Sequence, residues 1–121
     1  MNTKIKLTYD GQEYVLEFNR MTIKMLENAG FEYEKFMEKP MNNVELAFTA
    51  AFMKNHPKIS QTTVEAIYDS CPNKDALIGT LSRMINECYE SLLNEPSEDN
   101  SGKVKWETED STPVKKAKSQ G

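Results

Sequence analysis

NVELAFTAAFMKNHP, from Asn43 to Pro57, is the stretch whose reading decides how this chain folds. At the helical period, Val44, Ala47, Phe48, Ala51 and Phe52 fall on one stripe, and Leu46, Ala50 and Met53 widen it. Only Glu45 and Thr49 keep a polar arc clear, with Lys54 and Asn55 near the exit. A helix apolar over most of its circumference is surrounded on several sides rather than laid on a surface. Two readings follow: the central helix of a small core, or a helix partly covered by a second molecule. Asn42 or Asn43 is the expected cap and His56-Pro57 the expected stop, giving a helix over about 43–55.

Upstream, residues 3–18 read as a β-hairpin closed by Asp10-Gly11, a type I′ pair that needs positive φ at both positions. Closing there sets Tyr9 opposite Gln12, Leu7 opposite Tyr14, Ile5 opposite Leu16, Thr8 opposite Glu13 and Lys4 opposite Glu17. One face then carries Ile5, Leu7, Tyr9, Tyr14, Leu16 and Phe18. The other carries Lys4, Lys6, Thr8, Glu13, Val15 and Glu17. A register that sorts both strands this way is specific, because a one-residue slip would invert every side chain. An isolated hairpin is marginal in water, so its apolar face must rest on helices or on another chain.

Between hairpin and central helix, a short helix is expected over 22–29, capped by Thr22 and ended by Gly30. A second is expected over 32–38, with Tyr33, Phe36 and Met37 on one side and Pro40 closing it. Downstream, Ser60 or Thr62 caps a helix over about 62–70 in which Val64, Ile67, Tyr68 and Cys71 follow helical spacing. Pro72-Asn73 breaks it, and a long helix follows over 73–93, with Leu77, Leu81, Met84, Ile85, Cys88 and Leu92 as its stripe. Gly79 inside that helix marks either a close helix crossing or simple tolerance. The expected fold class is α+β: an N-terminal β-hairpin packed on a bundle of four to five α-helices, one domain over residues 1–94.

At Glu95-Pro96 the composition turns to Ser, Glu, Asp, Lys, Gly and Pro, so 95–121 is expected to be a disordered tail. Its one aromatic is the only tryptophan of the chain, in Val104-Lys105-Trp106-Glu107. Trp106 is therefore a candidate docking residue, able to enter as an edge strand or an anchor; a solvated linker is the other reading.

A net charge of −4 over 121 residues argues against a protein that coats nucleic acid. The helix-turn-helix-like pair around Pro72-Asn73 offers only Lys74 and Arg83 as bases in its second helix, too few for phosphate contacts. No apolar run is long enough to span a bilayer, and the amino terminus lacks the apolar core of a secretory signal, so no membrane partner is expected. Cys71 and Cys88 have no metal-ligand spacing and are expected to be buried, reduced thiols. His56, the only histidine, is expected to bond carbonyls at its helix end. There is no phosphate loop, no Cys/His metal set and no nucleophile with a histidine in a recognisable arrangement, so neither catalysis nor a cofactor is expected.

The runs KLTYDGQEYVLEFNRMTIKMLENAGF and EKPMNNVELAFTAAFMKNHPKISQ, with the Asn-Lys-x-x-Leu-Ile of residues 73–78, resemble tail assembly chaperones of siphophages and prophages of Gram-positive bacteria. The resemblance spans 3–94 and is one of overall pattern, with no catalytic or ligand residue to carry over. It implies a partner, the largely helical tape-measure protein, with the tail tube protein as a further candidate. It also implies self-association, action in the bacterial host cytoplasm and absence from the mature virion. A structural tail or neck component retained in the virion is the alternative, and a small DNA-binding regulator the third. The seven methionines, among them Met21, Met25, Met37, Met41, Met53 and Met84, suit either an adaptable surface or a filled core. Leu46, Ala50 and Met53 are the expected partner-binding sector, because the remaining elements offer no obvious cover for them.

Overall fold

A computed structural model of the chain describes residues 3–36, 38, 40–94, 100 and 102–109. It has the expected α+β architecture: strands β1 (Ile5–Tyr9) and β2 (Gln12–Leu16), then helices α1 (Arg20–Asn28), α2 (Pro40–Met53), α3 (Gln61–Ser70) and α4 (Lys74–Leu93). A single 3₁₀ turn at Tyr33–Lys35 lies between α1 and α2. The strands pair antiparallel in the register that the face pattern dictates, Ile5 with Leu16, Leu7 with Tyr14 and Tyr9 with Gln12. Asp10 and Gly11 both have positive φ, 52° and 79°, as the tight turn requires.

Helix α2 is the hub. It packs against α1, α3, α4, β2 and the 3₁₀ turn. Val44, Ala47, Phe48, Ala51 and Phe52 are all buried, and Phe52 lies edge-on to Phe48 (5.1 Å between ring centroids), Tyr14 (5.6 Å) and His56 (6.4 Å). Leu16 of β2, Ile23 and Leu26 of α1, Val64 and Ile67 of α3, and Leu81, Met84 and Ile85 of α4 complete the core around it. The reading of this helix as the centre of the chain's own core is therefore the correct one.

Several local expectations change, each for a legible reason. Helix α1 begins at Arg20, not at Thr22, because Asn19 caps it. The Asn19 side chain accepts from the Thr22 N–H at 2.9 Å, and the Asn19 N–H donates back to the Thr22 hydroxyl at 2.7 Å. Thr22 is thus the reciprocating partner of a capping box. The expected helix over 32–38 is only the 3₁₀ turn. Lys35, Phe36 and Glu38 donate to the carbonyls three residues back, since so short a stretch lacks the length to nucleate α-helix. Met37 lies outside the described residues. Pro40 opens α2 instead of closing the segment before it, a first-turn position that needs no amide donor. Asn43 is accordingly inside the helix, buried, with its side-chain amide donating to the Lys35 carbonyl at 3.0 Å. Ser60, not Thr62, caps α3 by accepting from the Thr63 N–H at 3.1 Å.

Gly79 faces open space: among the described residues, nothing beyond its own turn of helix comes within 4 Å of where a Cβ would stand. No helix crosses there, so Gly79→Ala is expected to stabilise the domain by about 1 kcal/mol, read as a higher urea midpoint at an unchanged slope.

Candidate interaction surface

The outer edge of β2 is closed by the exit of α2. In this register Val15 and Glu17 turn their backbone groups away from β1. The Glu17 N–H donates to the Ala51 carbonyl at 3.0 Å, the Val15 N–H to Nε2 of His56 at 3.0 Å, and the Asn55 amide to the Val15 carbonyl at 3.1 Å. His56 bonds a helix-end carbonyl as expected, but through its backbone, whose N–H donates to the Phe52 carbonyl at 2.7 Å; its side chain serves the strand. Its ring accepts a strand donor and lies edge-on to Tyr14 at 5.0 Å, because Asn55 and Pro57 carry the chain across the sheet edge.

Glu17 belongs to the polar face of the hairpin by alternation, yet it is buried because the α2 exit lies over it. Its carboxylate accepts from Asn55 at 2.9 Å and pairs with Lys54 at 2.9 Å and Lys4 at 3.8 Å. The Asn55 hydrogen bond, followed by Lys54 and Lys4, holds this carboxyl below its ordinary range against the opposing effect of burial. Strand and helix are thus clamped by one buried carboxylate, and at Val15 and Glu17 this edge is closed to a partner.

The edge of β1 is different. The backbone groups of Lys4, Lys6 and Thr8 point outward by the same register, and among the described residues none of them has a hydrogen-bond partner. Ile5, Leu7 and Tyr9 beside them are only half-buried at the margin of the core. Thr3 fixes the start of this strand to α4, its N–H and hydroxyl donating to the two oxygens of Glu87 at 2.9 and 3.0 Å. The Thr3 N–H is the chief cause that lowers the Glu87 carboxyl.

The sector expected to accept a partner is mostly covered. Ala50 is 5% exposed, and Leu46 and Met53 are half-buried against the core. Helices α1 and α3 both pack on α2, and Ala29, Gly30 and Gln61 come beside Leu46, a neighbourhood that spacing alone did not reveal. Leu46 lines an open groove with Ala29 and Gly30 at the exit of α1, Asn42 and Glu45 of α2, and Gln61 of α3. Leu46→Asp is therefore expected to cost about 1–3 kcal/mol in urea unfolding, since it places a charge against the core margin.

The exposed apolar residues lie elsewhere: Met21 and Met25 on α1, Met41 in the first turn of α2, Leu93 at the end of α4, and Val104 with Trp106 beyond it. Trp106 is 82% exposed and has no ring contact among the described residues, so the structure does not bring it to Leu46, Ala50 or Met53. Met84 is buried. The one signal for Met21 and Met25 was their spacing of four on the face of α1 opposite Ile23.

Among the described residues there is no group of His, Cys, Asp and Glu that could hold a metal ion. No helix among the described residues is long and apolar enough to cross a membrane. Cys71 and Cys88 are unpaired, and burial raises both thiols above their ordinary range. Tyr89 is pushed up to about 12, chiefly by burial and then by its 2.9 Å hydrogen bond to Glu27.

Residues 1–109 match the family model described as Domain of unknown function (DUF5055). The chain belongs to the DUF5055 family. No curated protein and no solved structure matches it. The DUF5055 match runs past the end of α4 at Leu93 and takes in the segment 104–109, so that segment belongs to the family's domain along with hairpin and helices. Of the tail expected to be disordered over 95–121, residues 95–99, 101 and 110–121 lie outside the described residues; 104–109 carry neither helix nor strand and are exposed.

Proposed function

We propose that this DUF5055 protein is a tail assembly chaperone of a siphophage or prophage. In this reading it binds the tape-measure protein, with the tail tube protein as a further candidate, and associates with itself. It acts in the bacterial host cytoplasm and is absent from the mature virion. The observation that carries the reading is the exposure of Met21 and Met25 on the face of α1 away from its buried Ile23 and Leu26, and of Met41 in the first turn of α2. Methionine is unbranched and polarisable, and exposed methionines adapt to varied apolar partners such as successive segments of a long helical protein. The resemblance of residues 3–94 to tail assembly chaperones gives that partner its name, and the net charge of −4 favours solubility over nucleic-acid binding.

Co-expression with the neighbouring tape-measure protein tests this. The two proteins are expected to co-purify. Replacing Met21, Met25 and Met41 together by Ser is expected to abolish co-purification while leaving the circular dichroism spectrum unchanged. Failure of the parent chain to hold a soluble tape-measure protein would overturn the reading. A second reading, a structural component retained in the tail or neck, is favoured by the free edge of β1, which could join neighbouring copies into a ring. Mass spectrometry of purified virions separates the two, since only a structural component should be found there.

A further inference from the structure

The unpaired edge of β1 and the exposed segment Val104–Glu109 match each other in pattern and in charge. Along β1, Ile5, Leu7 and Tyr9 lie on the apolar face and Lys4, Lys6 and Thr8 on the polar face. Along the segment, Val104, Trp106 and Thr108 alternate with Lys105, Glu107 and Glu109. Laid antiparallel with Trp106 opposite Leu7, the segment places Val104 by Tyr9 and Thr108 by Ile5 on the apolar face. The same alignment sets Glu107 against Lys6 and Glu109 against Lys4 on the other. A parallel alignment that keeps Trp106 beside Leu7 sets Lys105 against Lys6, a like-charge pair that disfavours it. The outward N–H and C=O groups of Lys4, Lys6 and Thr8 would gain the hydrogen bonds they lack among the described residues, and the half-buried Ile5, Leu7 and Tyr9 would be covered by Val104 and Trp106. Lysines on an edge strand ordinarily discourage pairing. Here they select a segment that carries glutamates at the same spacing.

We infer that residues 104–109 of a second copy add to β1 as a third antiparallel strand, and that two copies exchange these segments reciprocally. Within one copy the segment is exposed, with Val104 at 72% and Trp106 at 82%, so the monomer leaves both the edge and the segment unpaired. Reciprocal exchange pairs both β1 edges and uses both segments, so the assembly closes with two-fold symmetry instead of running on as an open chain of copies. It supplies a surface for the self-association in the proposed function but requires no tape-measure protein. The test uses this protein alone, so its failure leaves tape-measure binding to be decided separately.

The experiment is sedimentation of the full chain over a concentration series, read together with the emission of Trp106, the only tryptophan. A monomer–dimer equilibrium is expected, with a blue shift of the emission that follows the dimer fraction. Lys6→Glu and Glu107→Lys, each at an exposed position, are each expected to raise the dimer dissociation constant at least about tenfold, because both interfaces then oppose like charges. Mixing the two single variants restores a heterodimer with opposite charges at both interfaces, and the dimer and the blue shift are expected to return. Three outcomes would overturn the inference. These are a monomer with unshifted emission at every soluble concentration, a dimer indifferent to both variants, and a blue shift at monomer mass that mixing does not affect. The last of these would place the segment on its own hairpin.

Discussion

Phe52→Ala is expected to lower the free energy of unfolding by about 3–5 kcal/mol, the largest effect of any single truncation in this domain. Phe52 is fully buried, and its ring meets Phe48 at 5.1 Å and Tyr14 at 5.6 Å, joining the hub helix to the hairpin. Truncation leaves a cavity between two elements that are held apart by other contacts, so the site cannot collapse to refill it. For a domain of this size each kcal/mol moves the melting temperature by roughly 4–8 °C, so a fall of roughly 15–30 °C is expected by calorimetry. Leu93→Ala, at an end of α4 that is 78% exposed, is the control and should change stability by less than about 0.5 kcal/mol. A Phe52→Ala protein as stable as the parent would mean that the hairpin does not rest on α2.

Asn55→Ala is expected to produce the second largest effect, about 1–3 kcal/mol, together with a change in acid sensitivity. The Asn55 amide serves both the Val15 carbonyl and the buried Glu17 carboxylate, so its removal leaves two acceptors short of a donor. It is also the chief cause of the lowered Glu17 pKa. The folded state therefore favours the ionised carboxyl more than the unfolded chain does. The stability this contributes is fully present above the unfolded value of about 4.3 and drains away as pH falls through the lower folded value. Urea midpoints measured at neutral pH and at acid pH should thus converge in Asn55→Ala relative to the parent. Glu17→Gln should flatten the same acid limb by removing the titrating group. An unaltered acid slope in both variants would show that Glu17 is not clamped by the α2 exit.

The parts of the structure that were legible beforehand share one property: their signal is periodic and local. The hairpin register followed from the side-chain alternation and the Asp10-Gly11 turn, because a slip of one residue would have set Ile5 and Leu7 on the face opposite to Leu16 and Phe18. The buried stripe of α2 followed from helical spacing in the same way. Helix ends were less legible. Thr22 reads as the cap of α1 until the mutual hydrogen bonds give that place to Asn19, and Pro40 reads as the end of one segment where the structure makes it the start of the next.

The candidate interaction residues show a different kind of limit. Whether Leu46, Ala50 and Met53 are open depends on how close α1 and α3 come to α2, and that distance is a sum over loops whose geometry no spacing rule supplies. Burial of Glu17 was hidden for a related reason. Alternation placed it on the polar face, and only the course of Lys54, Asn55 and His56 across the β2 edge covers it. By itself the sequence determined the α+β class, the strand register, the hub helix and the pattern of Val104–Glu109, because each is encoded by alternation or helical spacing within a short stretch. Only the tertiary structure decided which strand edge is free, since closing β2 and leaving β1 open depends on where the α2 exit comes to rest against the sheet.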